Sequence, residues 1–467
     1  MIIFPLIYLS AFLFALKGII KGNRDEVLLF LIFGLPIYIT TLCITFDMGF
    51  GNLIGVFQIF KEAVIVTLLL VQVWTLKARI RFHIIDYAVI AYFSYTFLYA
   101  IFPIGEQGLF VRLIAFKSLS FFSLIYFCGR LFEPHAIYIN KYFHYILYLT
   151  IAAAVLVIIE YTTSQHFQTL TGYADFYYYI FNFEPTGAYG LSWTFETETG
   201  IKRFASFFAN PLEYAAATLL ALAVLVSLYT TDSNKLKTDG FGKIVFIATL
   251  VSIVLAFSRA AFLNYFLMIY VYALLTRKRY ILTIAHFSIL CVVLYFIYLL
   301  NNEDIKEFVI TTLNFTNSSS IGHVLEWIEG INAMIGSPLG LGLGTSGRVA
   351  GSLDGNIGGE NQFIIIGVQA GIIAMLIYLA IYIALIRTCM QWFGKLKGKE
   401  RKVCLALLLM KIGFIIPLLT SELESSSYIS YITWFFSGFF ISIIAQQKKI
   451  SENTMDQETL YIKKPDM

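Results

Sequence analysis

Charged residues are scarce in this sequence. Asp, Glu, Lys and Arg make up 13% of its 467 residues, whereas about 25% is usual for a soluble domain. Because 59% of the residues are hydrophobic, too little charge remains to cover a soluble globule of this length. The composition excludes a cytosolic enzyme and a disordered protein, and it predicts a polytopic helical membrane protein.

Cysteine and net charge are limited as well. The five cysteines stand singly, with no CxxC pair and no Cys/His pair at metal-ligand spacing. They exclude a secreted disulfide scaffold and predict small buried apolar side chains, and no motif requires a metal or a cofactor. The 33 basic and 29 acidic residues leave a net charge of +4, too small and too scattered for nucleic-acid binding.

Apolar segments long enough to cross a bilayer, which takes about 20 residues, recur along the chain. We expect 13 spans, within a range of 12 to 14, because only Ser258-Arg259 separates two of them. The spans are predicted at residues 2–20, 27–45, 53–75, 84–102, 109–129, 143–160, 211–230, 243–257, 261–276, 281–300, 361–387, 403–420 and 428–445.

The basic residues predict the orientation of these spans. Lys and Arg cluster in alternate connections, for example at 277–279 and 387–402. The positive-inside rule places such connections in the cytoplasm. The N-terminus is therefore predicted to face out, and the tail at 446–467 to face the cytoplasm.

Two long segments interrupt the spans on the predicted outer side. We expect spans at 1–160, 211–300 and 361–445, separated by external segments at 161–210 and 301–360. The first external segment is rich in Tyr and Phe, as in Tyr177-Tyr178-Tyr179. This composition favours packing at the membrane surface over disorder.

The second external segment predicts a helix followed by a glycine-rich run. Ser320 can cap the helix, apolar residues from Ile321 to Ile335 form one face, and Gly336 ends it. Such a helix is expected to lie along the outer interface. In the run after Gly340, the glycines would let backbone NH groups approach a ligand closely. A flexible surface loop is the alternative.

Arginine is unusual on the outer side of a membrane protein, and three arginines are predicted there: Arg203, Arg259 and Arg348. A guanidinium group forks onto two oxygens, which suits phosphate or diphosphate. The alternative is a surface arginine that reaches lipid headgroups.

Ionisable residues also fall inside the predicted spans, where burial is costly and usually marks function. Lys61 and Glu62 can pair locally. Arg112 and Lys117 have no carboxylate on their own helix, so we expect them to face a cavity that holds an anion.

Two asparagines precede predicted spans. Asn210 with Pro211, and Asn361, fit helix N-caps, and both asparagines are also candidates for substrate binding. Glu360 precedes Asn361, where a partly desolvated carboxylate could serve as a general base. A solvated acid near a helix N-terminus is the alternative for Glu360.

Over roughly residues 200–388 the chain resembles the O-antigen polymerase and O-antigen ligase family of bacterial surface-polysaccharide assembly. The matching stretches, in order, are Arg203 with Phe207, Asn210 and Pro211; Ser258-Arg259-Ala260; the helix with Trp327 leading to Pro338-Leu-Gly-Leu-Gly342; and Asn361 with Gly371.

The resemblance implies a multi-pass glycosyltransferase of the bacterial inner membrane, a GT-C-like bundle with its active site on the extracytoplasmic side. It implies an oligosaccharide carried on undecaprenyl diphosphate as substrate, with Arg203 and Arg259 as diphosphate ligands. It also suggests a chain-length regulator and a flippase of the same pathway as partners.

The chain departs from the ligase pattern, which has His where this chain has Glu360. His323 stands where the loop helix often has Arg, and Arg348 to Gly359 fits a spacing reported in some polymerases. We therefore expect a polymerase with Glu360 or His323 as the base. The alternatives are a ligase that moves glycan to lipid A core, and a flippase or other transporter of lipid-linked oligosaccharide.

Overall fold

The computed structural model describes residues 1–76, 80–197, 200–299, 318–351 and 355–462. Within these ranges the chain is all-helical. The helices are α1 (Ile3–Lys21), α2 (Arg24–Asp47), α3 (Gly51–Trp74), α4 (Ile84–Ile101), α5 (Leu109–Arg130), α6 (Ile139–Thr163), α7 (Tyr173–Phe181), α8 (Pro211–Tyr229), α9 (Gly240–Leu255), α10 (Arg259–Thr276), α11 (Arg279–Leu299), α12 (Ser318–Gly336), α13 (Gly347–Gly351), α14 (Gln362–Phe393), α15 (Gly398–Thr420) and α16 (Ser427–Ile462).

Eleven helices in the described ranges are long and apolar enough to cross a membrane. Two shorter apolar helices, Gly240–Leu255 and Arg279–Cys291, match the predicted spans at 243–257 and 281–300. The break predicted at Ser258-Arg259 is confirmed, since the Ser258 side chain accepts a hydrogen bond from the Ala261 NH at the start of α10. The chain is thus a polytopic membrane protein, and its orientation stays a prediction.

Helices α8 and α16 form the centre of the bundle. In the apolar stretch of each helix, 89% of the residues of α8 and 94% of those of α16 are buried, compared with 28% for α3 at the periphery. Helix α16 lies so close to α5 that a Cβ on Gly129 or on Gly438 would overlap a carbonyl oxygen of the facing helix. Small residues at such contacts let helix backbones approach one another in a membrane protein.

Helix α14 is broken at Gly371, whose φ of 81° and ψ of 169° are not helical. The segment 338–342 lies in this break. The Leu341 NH donates to the Val368 carbonyl at 2.7 Å, and the Gly342 NH donates to the Gln369 carbonyl at 3.1 Å. In return, the Ile372 NH donates to the Pro338 carbonyl at 3.0 Å. The loop backbone therefore replaces hydrogen bonds that the helix loses.

Glycine is required where this loop meets the turn between α4 and α5. Gly342 has a φ of 105°, and a Cβ there would overlap the carbonyl oxygen of Ile104. Within the run, the NH groups of Leu341, Gly342 and Gly344 donate to α14, the last of them to the Gln369 side chain at 2.8 Å. The two expectations for this run, a cradle for a ligand and a flexible surface loop, are both replaced by a close contact between backbones.

The first external segment folds around aromatic side chains and one carboxylate. Glu160, at the end of α6, accepts hydrogen bonds from the Phe167 NH at 2.7 Å and the Ser206 NH at 2.8 Å. Nearby, His166 is only 3% exposed and contacts the rings of Tyr189, Phe195 and Phe204. Burial, and secondly the charge of Lys202, lower the pKa of His166 to about 4.

The helix predicted in the second external segment is confirmed as α12, which ends at the expected Gly336. It begins at Ser318, so Ser320 lies within the helix and is not the N-cap that the sequence predicts. Met334 and Trp327 pack on α14. Apolar side chains on other positions of α12 are exposed: Leu325, Ile328, Ile331 and Ile335. An exposed apolar row of this kind suits the membrane interface expected for this helix.

We predict that Gly342→Ala strongly destabilises the protein. The new methyl group must displace the Ile104 carbonyl, and Ala also resists a positive φ, at a cost on the order of 1–3 kcal/mol or more. Thermal unfolding in detergent, followed by tryptophan fluorescence, measures the effect. Gly55→Ala is the matched control, because its Cβ meets nothing within 4 Å. An unchanged midpoint in Gly342→Ala would contradict the inserted loop.

We predict an acid-dependent loss of stability that depends on His166. Because folding lowers its pKa from 6.5 to about 4, the unfolded chain binds a proton that the folded protein rejects. The free energy of unfolding is therefore not reduced by this proton above pH 6.5, and it declines by up to about 3 kcal/mol as the pH falls towards 4. Unfolding midpoints at pH 7 and 4.5 should differ less in His166→Phe than in the parent. His135→Phe, at an exposed histidine, should keep the parent's pH dependence.

Candidate functional site

The end of the inserted loop carries Arg348 into contact with two other parts of the chain. Its backbone NH donates to Glu422 Oε2 at 2.7 Å, and its Nη2 donates to the Tyr177 hydroxyl at 3.4 Å. Glu422 lies in the short connection between α15 and α16, and Tyr177 lies on α7. Arg348 therefore joins the two long external segments to the last connection on the same side.

The guanidinium of Arg348 donates its described hydrogen bond to a phenol, while the charges of Glu422 and Glu213 act on it from nearby. Glu422 is bound through the backbone NH of Arg348, and the guanidinium hydrogen bond goes to a neutral phenol. The Arg348 side chain is also exposed. A guanidinium in this setting can donate two parallel hydrogen bonds to phosphate oxygens.

Glu422 is a half-buried carboxylate next to this arginine. Burial raises the pKa of Glu422, the backbone NH and the charge of Arg348 lower it, and the nearby charge of Glu360 raises it further. Glu422 Oε1 also accepts from the Ser118 hydroxyl at 3.4 Å. A partly desolvated carboxylate of this kind is suited to accepting a proton.

Two lysines and a glutamate continue the charges into the bundle. Glu62 Oε1 lies 3.1 Å from Lys117 Nζ and 3.8 Å from Lys61 Nζ. Lys61 Nζ lies 4.4 Å from the centre of the Tyr38 ring. Lys61 is ten residues from the start of α3, which is about 15 Å along the helix. Because the charge of Arg348 acts on Lys61, we group Lys61, Glu62, Lys117, Arg348 and Glu422 and call them the charge cluster.

The structure places the predicted intramembrane cations differently from one another. Lys117 belongs to the charge cluster, and its partner is Glu62 on the neighbouring helix α3; the expectation that Lys117 faces a cavity holding an anion stays a prediction. Arg112 is buried and donates to the Ile101 carbonyl at 3.2 Å. That bond ties the start of α5 to the end of α4.

Both predicted asparagine caps are confirmed. Asn210 Oδ1 accepts from the Glu213 NH at 2.9 Å, with Pro211 as the first residue of α8. Asn361 Oδ1 accepts from the Phe363 NH at 3.0 Å and the Ile364 NH at 3.2 Å. Their oxygens are engaged in capping, so binding of substrate by these residues would use the amide NH2 groups.

The other two predicted arginines lie on a neighbouring pair of segments. The Phe204 NH donates to the Leu255 carbonyl at 3.2 Å, so the stretch after Arg203 runs beside the stretch before Arg259. Arg203 is half-buried and Arg259 is exposed at the first turn of α10. Arg348, the third predicted arginine, contributes two of the described hydrogen bonds at the charge cluster.

The two residues predicted as bases fall in different places. Glu360 is exposed in the turn before α14 and lies within electrostatic range of Glu422. His323 lies on α12, and its side chain is outside the described part of the structure.

Sequence reasoning missed Glu422, and it missed Glu213, which is buried at the start of α8 within electrostatic range of Arg348 and Lys61. The available signal for Glu422 was an acidic pair, Glu422 and Glu424, in a seven-residue connection between two apolar spans. In the described ranges, no three His, Cys, Asp or Glu side chains come together as metal ligands.

No protein-family model matches the chain, and no curated protein sequence matches it significantly. The resemblance to the O-antigen polymerase and ligase family therefore rests on the quoted residues.

We predict that Glu62→Gln destabilises the protein more than Lys117→Gln does. Removing Glu62 leaves two ammonium groups without their shared carboxylate, which costs up to about 3–5 kcal/mol in a buried setting. The Lys117 side chain is 51% exposed, so its loss should cost about 1 kcal/mol or less. Unfolding in detergent measures the loss of stability of each variant relative to wild type. The double variant should recover part of the Glu62→Gln loss, and an equal loss in the two single variants would contradict this arrangement.

Proposed function

We propose that the protein is a membrane glycosyltransferase that polymerises sugar repeat units carried on undecaprenyl diphosphate, for O-antigen, capsule or exopolysaccharide. The reaction would take place at the extracytoplasmic side of the bacterial inner membrane. One observation carries the proposal: the Arg348 guanidinium, from one long external segment, contacts Tyr177 of the other beside the carboxylate of Glu422.

The cations of this region suit a lipid-linked diphosphate. Arg348 would bind the diphosphate, and Arg203 and Arg259 are further candidate ligands on the neighbouring segments. Lys117 lies within a span and is half-exposed. A cation in that position would meet a diphosphate whose polyprenyl chain stays in the bilayer.

The proposed reaction transfers a glycan between two lipid-linked molecules. The acceptor hydroxyl oxygen attacks the anomeric carbon of the donor sugar, and the bond from that carbon to the diphosphate oxygen breaks. The diphosphate leaves with the bonding electrons, and guanidinium groups stabilise its growing charge. The hydroxyl proton passes to a general base. The candidate bases are the carboxylates of Glu422 and Glu360 and the imidazole of His323.

A transporter of the same lipid-linked substrate is the second candidate. The break in α14 at Gly371 and the Lys117–Glu62 pair inside the spans are features found in transporters. Transport between leaflets, however, does not need two long external segments that meet over an arginine. That meeting favours the enzyme.

We predict that Arg348→Ala, Arg203→Ala and Arg259→Ala each reduce chain growth by at least about 100-fold, because charge stabilisation of the leaving group is lost. Purified protein is incubated with lipid-linked repeat units, and product length is read by gel electrophoresis. Arg348→Lys should recover activity only in part, since an ammonium group cannot bind two oxygens side by side. Arg277→Ala, at an exposed arginine in the turn before α11, is the matched control.

Three results separate the candidates. Long chains made by the wild-type protein alone support the polymerase, and normal chain length in Arg348→Ala would remove the diphosphate role of that arginine. Movement of the substrate between leaflets without new glycosidic bonds would establish the transporter instead. In cells, loss of a polymerase leaves single repeats on the acceptor, whereas loss of a ligase leaves none.

A further inference from the structure

A cavity lies at the end of the bundle opposite the charge cluster. It is bounded by the turn between α14 and α15, the turn between α8 and α9, and α16. Its volume of about 600 Å³ falls within the range of small-ligand sites, about 300–1,000 Å³. The polar side chains that line it are Lys395, Lys397, Lys399, Asp232, Glu400 and Gln447.

The carboxylates of this cavity are already engaged by the protein. Asp232 Oδ1 accepts from the Gly398 NH at 2.9 Å, and Glu400 Oε2 accepts from Gln447 Nε2 at 2.8 Å. Behind them, the buried Arg401 donates to the Asp232 carbonyl and to the Asn234 side chain. These bonds hold the walls of the cavity together, and they leave the formal charge of both acids in place.

The three lysines outnumber the two acids of the cavity. All three are exposed, and none of them makes an ion pair with a carboxylate among the described residues. Three lysines and two acids line the cavity, a formal excess of one positive charge, and Lys395 Nζ also lies 5.3 Å from the centre of the Trp392 ring. Such an excess of positive charge favours an anion with several oxygen atoms.

The lysines also lie at the level of the membrane surface. The apolar span of α14 ends at Phe393 and that of α15 begins at Gly398, so Lys395 and Lys397 lie in the turn between two spans and Lys399 lies in the first turn of α15. Basic pockets between transmembrane helices at this level bind the headgroups of anionic lipids. We propose that this cavity binds a phosphate group, supplied by an anionic phospholipid at the membrane surface or by free phosphate.

The test uses the full-length protein in detergent and native mass spectrometry. Phosphatidylglycerol, phosphatidylcholine and inorganic phosphate are titrated separately into wild-type protein and into the triple variant Lys395→Gln, Lys397→Gln, Lys399→Gln. We expect the triple variant to bind phosphatidylglycerol at least about tenfold more weakly than wild type. A Lys→Arg triple at the same positions should bind as wild type, which separates loss of charge from loss of folding.

The matched control is Arg277→Gln, Lys278→Gln, Arg279→Gln, which removes the same charge from another turn, one that does not line this cavity. It should retain wild-type binding. Equal loss in both Gln triples, or no loss in the cavity variant, would overturn the site, because either result reduces it to general surface charge. Phosphatidylglycerol that resists millimolar phosphate identifies the lipid as the ligand, and displacement by phosphate identifies the free anion.

Discussion

Backbone hydrogen bonding inside the bundle is the constraint on which the rest of this structure depends. Within a lipid-enclosed bundle, polar backbone groups must find partners in the protein. The break at Gly371 takes the carbonyls of Val368 and Gln369 out of the helical pattern, and Leu341 and Gly342 donate to them instead. The second external segment is thereby anchored inside α14, and α13 with Arg348 follows directly from that anchor. The position of Arg348 thus follows from the need of the α14 backbone for hydrogen-bond partners at its break.

The charge cluster shows how ionised groups are accommodated near this anchor. Glu62 lies between two lysines, and Glu422 faces the backbone NH of Arg348, so cations and anions alternate and the cost of desolvation is partly offset. Glu424 lies in the same connection between α15 and α16 as Glu422. It attaches this connection to α16 by accepting hydrogen bonds from Ser430 and Trp434. In the function proposed above, a guanidinium held by such a framework would need little rearrangement to bind a diphosphate, which is the preorganisation that charge stabilisation in catalysis requires.

Much of the fold was predictable because span length and helix ends depend on local sequence. Apolar segments of sufficient length, the Ser258 cap, the Asn361 cap and the end of α12 at Gly336 all carry signals of this kind. The site was less predictable. A glycine run has the same composition whether it binds a ligand, moves freely or inserts into a helix. The pairing of Lys117 with Glu62 depends on which helices are neighbours, and the sequence of either helix alone does not predict its neighbour.

Amide hydrogen exchange of the protein in lipid nanodiscs tests the central claim, that the chain from Leu341 to Gly344 is hydrogen-bonded to the broken helix α14. The Leu341, Gly342 and Gly344 amides donate to groups of α14, so a peptide covering 339–346 should exchange as slowly as peptides from the interior of α14. Exchange of that peptide within seconds, at the rate of an open glycine-rich loop, would contradict the anchor and with it the placement of Arg348.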